Sequence, residues 1–288
     1  MYEVEKLIEP VKSGKELIAE IDSASPGNGV AIWWLGQSGY VIKTKETTIY
    51  IDIYLSEFLT AKWKDMPNPH NRMTRAPFRG EDIFNADLAI SSHRHADHMD
   101  PQTMPQLLKN CPDAKYIIPT AYKEHVTSWG IDEDRLILAK VDQEIPFRDV
   151  VIIPQPAKHE KFDYTEEQDY PHMSFIIKTG GVTLYHSGDT LPYYRLVQRL
   201  EKHGVDVLLL PINGRDMRRH SYGTPGNFTM EESLSFAELY GAKLLIPHHY
   251  EMFTFNTVDI ELFKETAAEF YPDVNCCVLK CGEMKVIE

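Results

Sequence analysis

The run HRHADH, residues 93–98, decides how this sequence is interpreted, because it places four metal-binding side chains within six positions. It comes directly after ADLAISS, an apolar stretch that predicts a strand. Alternate residues of an extended chain point the same way, so His93 and His95 can face one ion. Asp97 and His98, around the following turn, can reach a second ion. Imidazole and carboxylate groups bind zinc, manganese and iron, so the run predicts a site for divalent metals.

Three more candidate ligands follow other predicted strands. His159 comes after VVIIPQPA, Asp189 after VTLYHS, and His249 after KLLIP. Ligands gathered at strand ends from separate parts of a chain are a common way for a sheet to build a site. We therefore expect two sites that share one bridging carboxylate. The first takes His93, His95 and His159, the second takes Asp97, His98 and His249, and Asp189 bridges them.

The composition sets limits on the class of protein. The chain has 288 residues, a hydrophobic fraction of 43% and a formal net charge of −13. A sizeable core can be buried, and without a linker or repeat the simplest organisation is one domain over residues 1–288. The acidic balance disfavours polymeric nucleic acid, which binds basic surfaces. The cysteines form no CxxC pair and no apolar run is long enough to span a membrane, so we expect a cytoplasmic protein.

The order of the predicted elements favours an α+β fold. Residues 30–53 contain three short segments typical of antiparallel strands, and strands then alternate with helices. Residues 56–80 and 213–228 have no period and are predicted to be long loops. CVLK and MKVI are predicted to close the chain as strands. Two strand-rich halves suggest two packed sheets with helices outside them.

The motifs HRHADH, SGDT and PHHY together resemble the metallo-β-lactamase superfamily. WWLGQSG, LYHSGDT, the loop after DVLLLPI and IPHH are further similar to its L-ascorbate 6-phosphate lactonase group. The resemblance implies a four-layer αβ/βα sandwich of the metallo-β-lactamase type. It also implies two divalent metal ions, a homo-oligomer and cytosolic hydrolysis of a lactone. Manganese or zinc is the expected metal, with iron as a further option.

The resemblance and the neighbouring residues suggest roles for other side chains. Asp52 matches a buried acid that supports the metal-binding loop, and the spacing in PHHY favours His249 as the ligand. His248 is then left to support the ligands or to contact substrate, and Tyr250 is a candidate to orient the site or to donate to an oxyanion. The remaining candidates are the loop arginines Arg75 and Arg215, which could hold a phosphate group or could simply be solvated.

The expected reaction is attack of a metal-activated water on the carbonyl carbon of a small phosphorylated lactone. Asp97 would orient the water or accept its proton, and His249 would act beside it as a ligand. Three alternatives remain open from the sequence. The same ligands could serve a phosphodiesterase acting on nucleotide or RNA ends, or a thioester hydrolase. The chain could also be a metal-binding scaffold without catalysis.

Overall fold

The structure, a computed structural model, describes residues 6–288 and contains thirteen strands in that part of the chain. They form a seven-stranded sheet in the order β13-β1-β2-β3-β4-β5-β6 and a six-stranded sheet in the order β12-β11-β10-β9-β8-β7. The strands are β1 (Val30–Gly36), β2 (Gly39–Lys43), β3 (Thr48–Ile51), β4 (Leu88–Ile90), β5 (Lys115–Pro119), β6 (Leu136–Ala139), β7 (Ile145–Phe147), β8 (Val150–Pro156), β9 (Met173–Lys178), β10 (Thr183–His186), β11 (Val207–Pro211), β12 (Leu244–His248) and β13 (Met284–Ile287).

Helices cover the outer face of each sheet, and two further short helices, the second and the sixth, lie in loops outside these layers. Within residues 6–288, none of them is both long enough and apolar enough to cross a membrane. They are α1 (Gly14–Ser23), α2 (Phe58–Trp63), α3 (Thr103–Asn110), α4 (Lys123–Thr127), α5 (Leu196–Glu201), α6 (Met217–Ser221), α7 (Met230–Tyr240) and α8 (Ile260–Phe270).

Strand β1 shows why the chain folds in four layers. All seven of its residues are buried. Ile32 and Trp34 point into the core between the two sheets, whereas Trp33 and Leu35 point to the core under α1 and α3. Successive residues of a strand face opposite sides, so a strand covered on both sides is apolar throughout. Residues of α5, α7 and α8 pack on the second sheet in the same way. The α+β sandwich expected from the sequence is confirmed.

The strand directions bring four chain segments to one edge of the sandwich. In the first sheet β3, β4, β5 and β6 run parallel. In the second sheet β10, β11 and β12 run parallel, and β8 runs in their direction because β9 is antiparallel to both β8 and β10. The carboxyl ends of β8, β10 and β12 therefore meet at the same edge of the second sheet.

Helix α7 begins and ends where the sequence predicts. Thr229 Oγ1 accepts from the Glu232 amide at 3.2 Å, and the Glu232 carboxylate accepts from the Thr229 amide at 3.0 Å. These bonds satisfy two amides that have no partner inside the helix. Gly241 ends it with φ at +72°, a conformation that suits glycine.

Two parts of the sequence prediction need correction. Residues 56–80 and 213–228 are not loops throughout, because each contains a short helix, α2 and α6 respectively. CVLK does not form a strand in the described chain. The preceding residue, Cys276, makes one bridge with Leu245 of β12, and the chain then leaves that sheet to enter β13 beside β1.

Candidate metal centre

The candidate metal ligands lie in loops that follow β4, β8, β10 and β12. HRHADH follows β4 of the first sheet, and the other three candidates follow strands of the second sheet. Their side chains converge into two groups, in each of which one ligand atom per residue lies within 4.8 Å of all the others. The first group is His93, His95, His159 and Asp189, and the second is Asp97, His98 and His249.

Three ring nitrogens face one another in the first group. His95 Nδ1 lies 2.9 Å from His93 Nε2 and 3.3 Å from His159 Nε2. Burial lowers the pKa of His93 and His95, and it lowers the pKa of His159 to about 3. A neutral imidazole has one N–H and one lone pair, so the facing nitrogens cannot all be paired by hydrogen bonds. A cation between them would satisfy all three lone pairs.

Asp189 lies between the two groups. Its Oδ1 is 3.3 Å from His98 Nε2 and 3.3 Å from His249 Nε2, although the carboxylate also belongs to the first group. The expected position of Asp189 as a shared ligand agrees with this geometry.

Two buried atoms show that the residues fit a metal ion. Asp189 Oδ1 and His98 Nε2 lie 3.3 Å apart without the alignment of a hydrogen bond, and neither has another partner within residues 6–288. Buried polar atoms are normally paired, and leaving one unpaired costs free energy. A divalent cation would satisfy both atoms at once. The donor set of imidazoles and carboxylates, without thiolate, suits zinc, manganese or iron.

The electrostatics of the centre favour a bound cation. Burial opposes ionisation of Asp189, but the nearby His98 and His249 hold its pKa well below the usual range. Burial likewise lowers the pKa of His98, yet Asp189, Asp97 and Asp52 outweigh it and raise that pKa. The surrounding carboxylates thus favour positive charge at His98, the charge that a bound cation would supply.

A model of the family described as Beta-lactamase superfamily domain matches residues 47–250. The chain belongs to the metallo-β-lactamase superfamily. Because its candidate metal ligands also lie together in two groups, this superfamily member is a metal-dependent hydrolase.

Known relatives agree with this assignment. A protein of Escherichia fergusonii named Probable L-ascorbate-6-phosphate lactonase is 24% identical over 264 residues, which cover 82% of this chain and 73% of the relative. Igni18, a metallo hydrolase from Ignicoccus hospitalis, has a TM-score of 0.68 and 21% identity over 90% of this chain and 99% of its own. An isothiocyanate hydrolase from Delia radicum gut bacteria has a TM-score of 0.70 and 17% identity, covering 90% and 99% respectively. At these identities the two structures show a shared fold.

In this superfamily member Asp52 contacts the second ligand group on the side away from the cavity. Its Oδ2 lies 2.7 Å from His98 Nδ1, which leaves Nε2 free to face the metal. The same carboxylate accepts hydrogen bonds from the Ser92 amide at 2.7 Å and from the Ser92 hydroxyl at 2.6 Å. Asp52 therefore fixes both a ligand and the first turn of the loop that carries it.

Asp52 and the candidate ligand His249 both have left-handed backbone conformations. The φ angle is +49° at Asp52 and +66° at His249. Residues other than glycine rarely adopt such angles, and each costs free energy that the surrounding structure must supply. The chain turns sharply at both positions, directly after β3 and β12, and so places each side chain at the centre.

Gln37 is a residue of the centre that sequence reasoning missed. It is fully buried, and its Nε2 donates to Asp97 Oδ2 at 2.7 Å. Its backbone carbonyl accepts from the His249 amide at 2.9 Å. Gln37 therefore contacts two ligands of the second group. The signal for Gln37 in the sequence is its place in WWLGQSG, in the turn after β1.

The two predicted arginines do not reach the cavity above the ligands. Arg75 lies 3.0 Å from Glu9 and its side chain is more than half exposed. Arg215 donates to both oxygens of Glu232, at 2.7 and 2.6 Å. Neither residue lines the cavity. Nearer carboxylates satisfy both guanidinium groups, which corrects the expectation that they hold a phosphate.

His248 and Tyr250 also lie away from the cavity. His248 is buried between the hydroxyls of Ser38 at 3.1 Å and Ser187 at 3.2 Å. The Tyr250 hydroxyl donates to the carbonyl of Leu279, and its ring stacks on Trp34 at 4.2 Å. Because the chain turns sharply at His249, this residue lines the cavity while its two neighbours face the protein interior. His248 therefore holds Ser38 and Ser187, and Tyr250 packs on Trp34, which favours supporting roles over contact with substrate or an oxyanion.

A cavity of about 1210 Å³ lies over the ligands. Its wall includes His95, Asp97, His159, Asp189 and His249, so both ligand groups open into the same space. The basic side chains at its wall are Lys62, Arg94 and Lys161.

Proposed function

We propose that the protein is a lactonase that opens a lactone carrying an anionic group, and that a phosphorylated lactone is the first substrate to test. The observation that carries the proposal is that two ligand groups share Asp189 and open into one cavity with cationic side chains at its wall. Two divalent ions, manganese or zinc, are the expected cofactors. The name of the curated relatives supports the substrate class.

The chain's own residues would position the substrate and accept a proton from the attacking water. Divalent ions at these ligands would supply an activated water and polarise the substrate carbonyl. Asp97 is held by Gln37 on one oxygen and faces the cavity, so it is placed to accept a proton. Arg94, exposed beside the first group, is placed to bind an anionic substituent.

The direct test is hydrolysis by the purified protein loaded with manganese or zinc. Phosphorylated lactones, cyclic and linear phosphodiesters and thioesters are supplied in parallel, and products are followed by NMR. We expect lactone opening that is lost in His95→Ala while the circular dichroism spectrum is unchanged. Turnover of phosphodiesters or thioesters without lactones would favour the corresponding alternative. A protein that binds metal but turns over none of them would be a scaffold.

Arg94 offers a more specific test of the anionic substituent. Arg94→Ala should raise KM about tenfold for a phosphorylated lactone, because a charge-assisted bond is lost. The same change should leave KM for the matching unphosphorylated lactone unaltered. Arg75→Ala is the matched control, because Arg75 does not line the cavity. An equal effect of Arg94→Ala on both lactones would remove the argument for phosphate.

The expected homo-oligomer also stays a proposal for this protein. Light scattering of the metal-loaded protein at several concentrations would test it.

A further inference from the structure

One wall of the cavity is apolar, and the metal ligands do not explain it. Phe58, Leu59, Trp63, His70, Phe253 and Phe255 line this wall, which we call the apolar pocket. Leu59 and Phe253 are buried in a small cluster of their own, separate from the two main cores. Phe58, Trp63 and Phe255 pack against that cluster and stay partly exposed. The apolar pocket is thus packed on a buried cluster, and its partly exposed rings face the cavity.

The rings of the apolar pocket hold one another in place around His70. The His70 ring stacks on Trp63, with centroids 5.6 Å apart, and meets the edges of Phe253 at 4.9 Å and Phe255 at 4.7 Å. Such edge and stacked contacts fix the relative orientation of aromatic side chains. The surface is therefore formed before any ligand arrives, so a bound group would not have to order it.

The apolar pocket adjoins the second ligand group. Ala96 belongs to the same apolar cluster and directly precedes Asp97. Phe253 follows the ligand His249 by four residues and pairs with Arg72 across an isolated bridge. A group in the pocket would therefore lie next to the bond that is hydrolysed.

Another part of the cavity wall carries basic and polar side chains. Arg94, His125 and His172 line it near the first ligand group, and His172 Nδ1 is buried without a partner in residues 6–288. A substrate that fills the cavity would meet Arg94 and polar groups near the first ligand group, and aromatic rings with Lys62 over Phe58 and Trp63 elsewhere. Hydroxyl groups set against the faces of Phe253 and Phe255 would lose hydrogen bonds to water without gaining new ones.

We propose that the apolar pocket holds an aromatic substituent of the substrate, so that the preferred lactone is an aryl-substituted one and not a bare sugar lactone. This inference rests on the proposed function for its place in catalysis. The pocket itself can be tested by binding alone.

Product-like carboxylates provide that test. Titration calorimetry on the zinc-loaded protein compares 4-phenylbutyrate with butyrate. We expect the phenyl compound to bind about 10- to 100-fold more tightly, since burial of a ring in a formed apolar pocket has this effect. In Phe255→Ala, and independently in Trp63→Ala, the ratio of the two affinities should fall at least threefold. Phe270→Ala, which removes an equally large ring that is 65% exposed on α8, should keep the ratio.

The outcomes separate this inference from the proposed function. Equal affinity of the two carboxylates for the unaltered protein, or a ratio unchanged in both pocket variants, would overturn the apolar pocket as an aryl site. A strong preference in binding without hydrolysis of any lactone would uphold the pocket and contradict the lactonase. If lactones are hydrolysed, the γ-phenyl derivative of γ-butyrolactone should have a higher kcat/KM than γ-butyrolactone itself, which is the preference expected in binding.

Discussion

Asp52 is the residue on which the second ligand group depends most. Its carboxylate fixes the His98 ring through Nδ1 at 2.7 Å and holds Ser92 at the start of the ligand loop. Replacing it by asparagine puts an uncharged amide against His98. We expect Asp52→Asn to lower metal affinity by about 10- to 100-fold and stability by roughly 1–3 kcal/mol. Competition with a fluorescent chelator and urea unfolding measure the two effects.

A second acid distinguishes a local effect on the ligands from general destabilisation. Asp149 accepts hydrogen bonds from Thr44 at 2.9 Å and Thr47 at 2.6 Å, just before β8 and at the far end of that strand from His159. Asp149→Asn should lower stability and leave metal affinity alone. If Asp52→Asn also left metal affinity unchanged, its assigned role would be wrong.

Gln37 should affect turnover more than metal content. It donates to Asp97 at 2.7 Å, so Gln37→Ala removes the bond that orients this carboxylate. We expect kcat to fall about tenfold, the usual effect of one lost hydrogen bond to a charged group, with both metal ions retained. Gln155→Ala is the matched control, because Gln155 is also fully buried and donates to an aspartate, Asp142. A loss of metal in Gln37→Ala would instead show that Gln37 holds the ligands themselves.

Among the contacts between elements, Arg215 binds the first turn of helix α7 and does not line the cavity. Its guanidinium binds Glu232, which also closes the capping box of that helix. Arg215→Ala should therefore lower the free energy of unfolding by less than about 1 kcal/mol, because the pair is partly exposed to solvent and so is screened. We expect kcat/KM to remain unchanged. A large rise in KM would return Arg215 to substrate binding.

The elements also show what the sequence can and cannot predict. The ligand positions were predictable because His159, Asp189 and His249 each follow an apolar segment that has to be a strand. Strand ends at one edge then bring them together. The partners of loop side chains were not predictable, since Glu9 and Glu232 reach Arg75 and Arg215 through tertiary packing that no periodicity encodes. The role of Gln37 depends on a tight turn whose direction only the structure shows.

Removal of metal should reversibly lower the thermal stability of the folded protein. Ions that bind only the folded chain stabilise it by mass action, each by about 2.7 kcal/mol at one hundred times its Kd. Treatment with EDTA should therefore lower Tm by several degrees, and added manganese or zinc should restore it. Differential scanning calorimetry measures the shift. A Tm that ignores EDTA while metal analysis shows the ions removed would contradict tight binding at these ligands.

The distribution of ligands between the two sheets has a consequence for how the molecule assembles. Each group joins residues that follow β4 of the first sheet to residues that follow strands of the second sheet. Bound ions would thus act as cross-links between distant parts of the chain, and closing such long loops costs entropy that only the packed sandwich repays. The centre should be among the last features to form during refolding. Zinc uptake followed by stopped flow should then lag behind the burial of Trp34 in the core between the sheets.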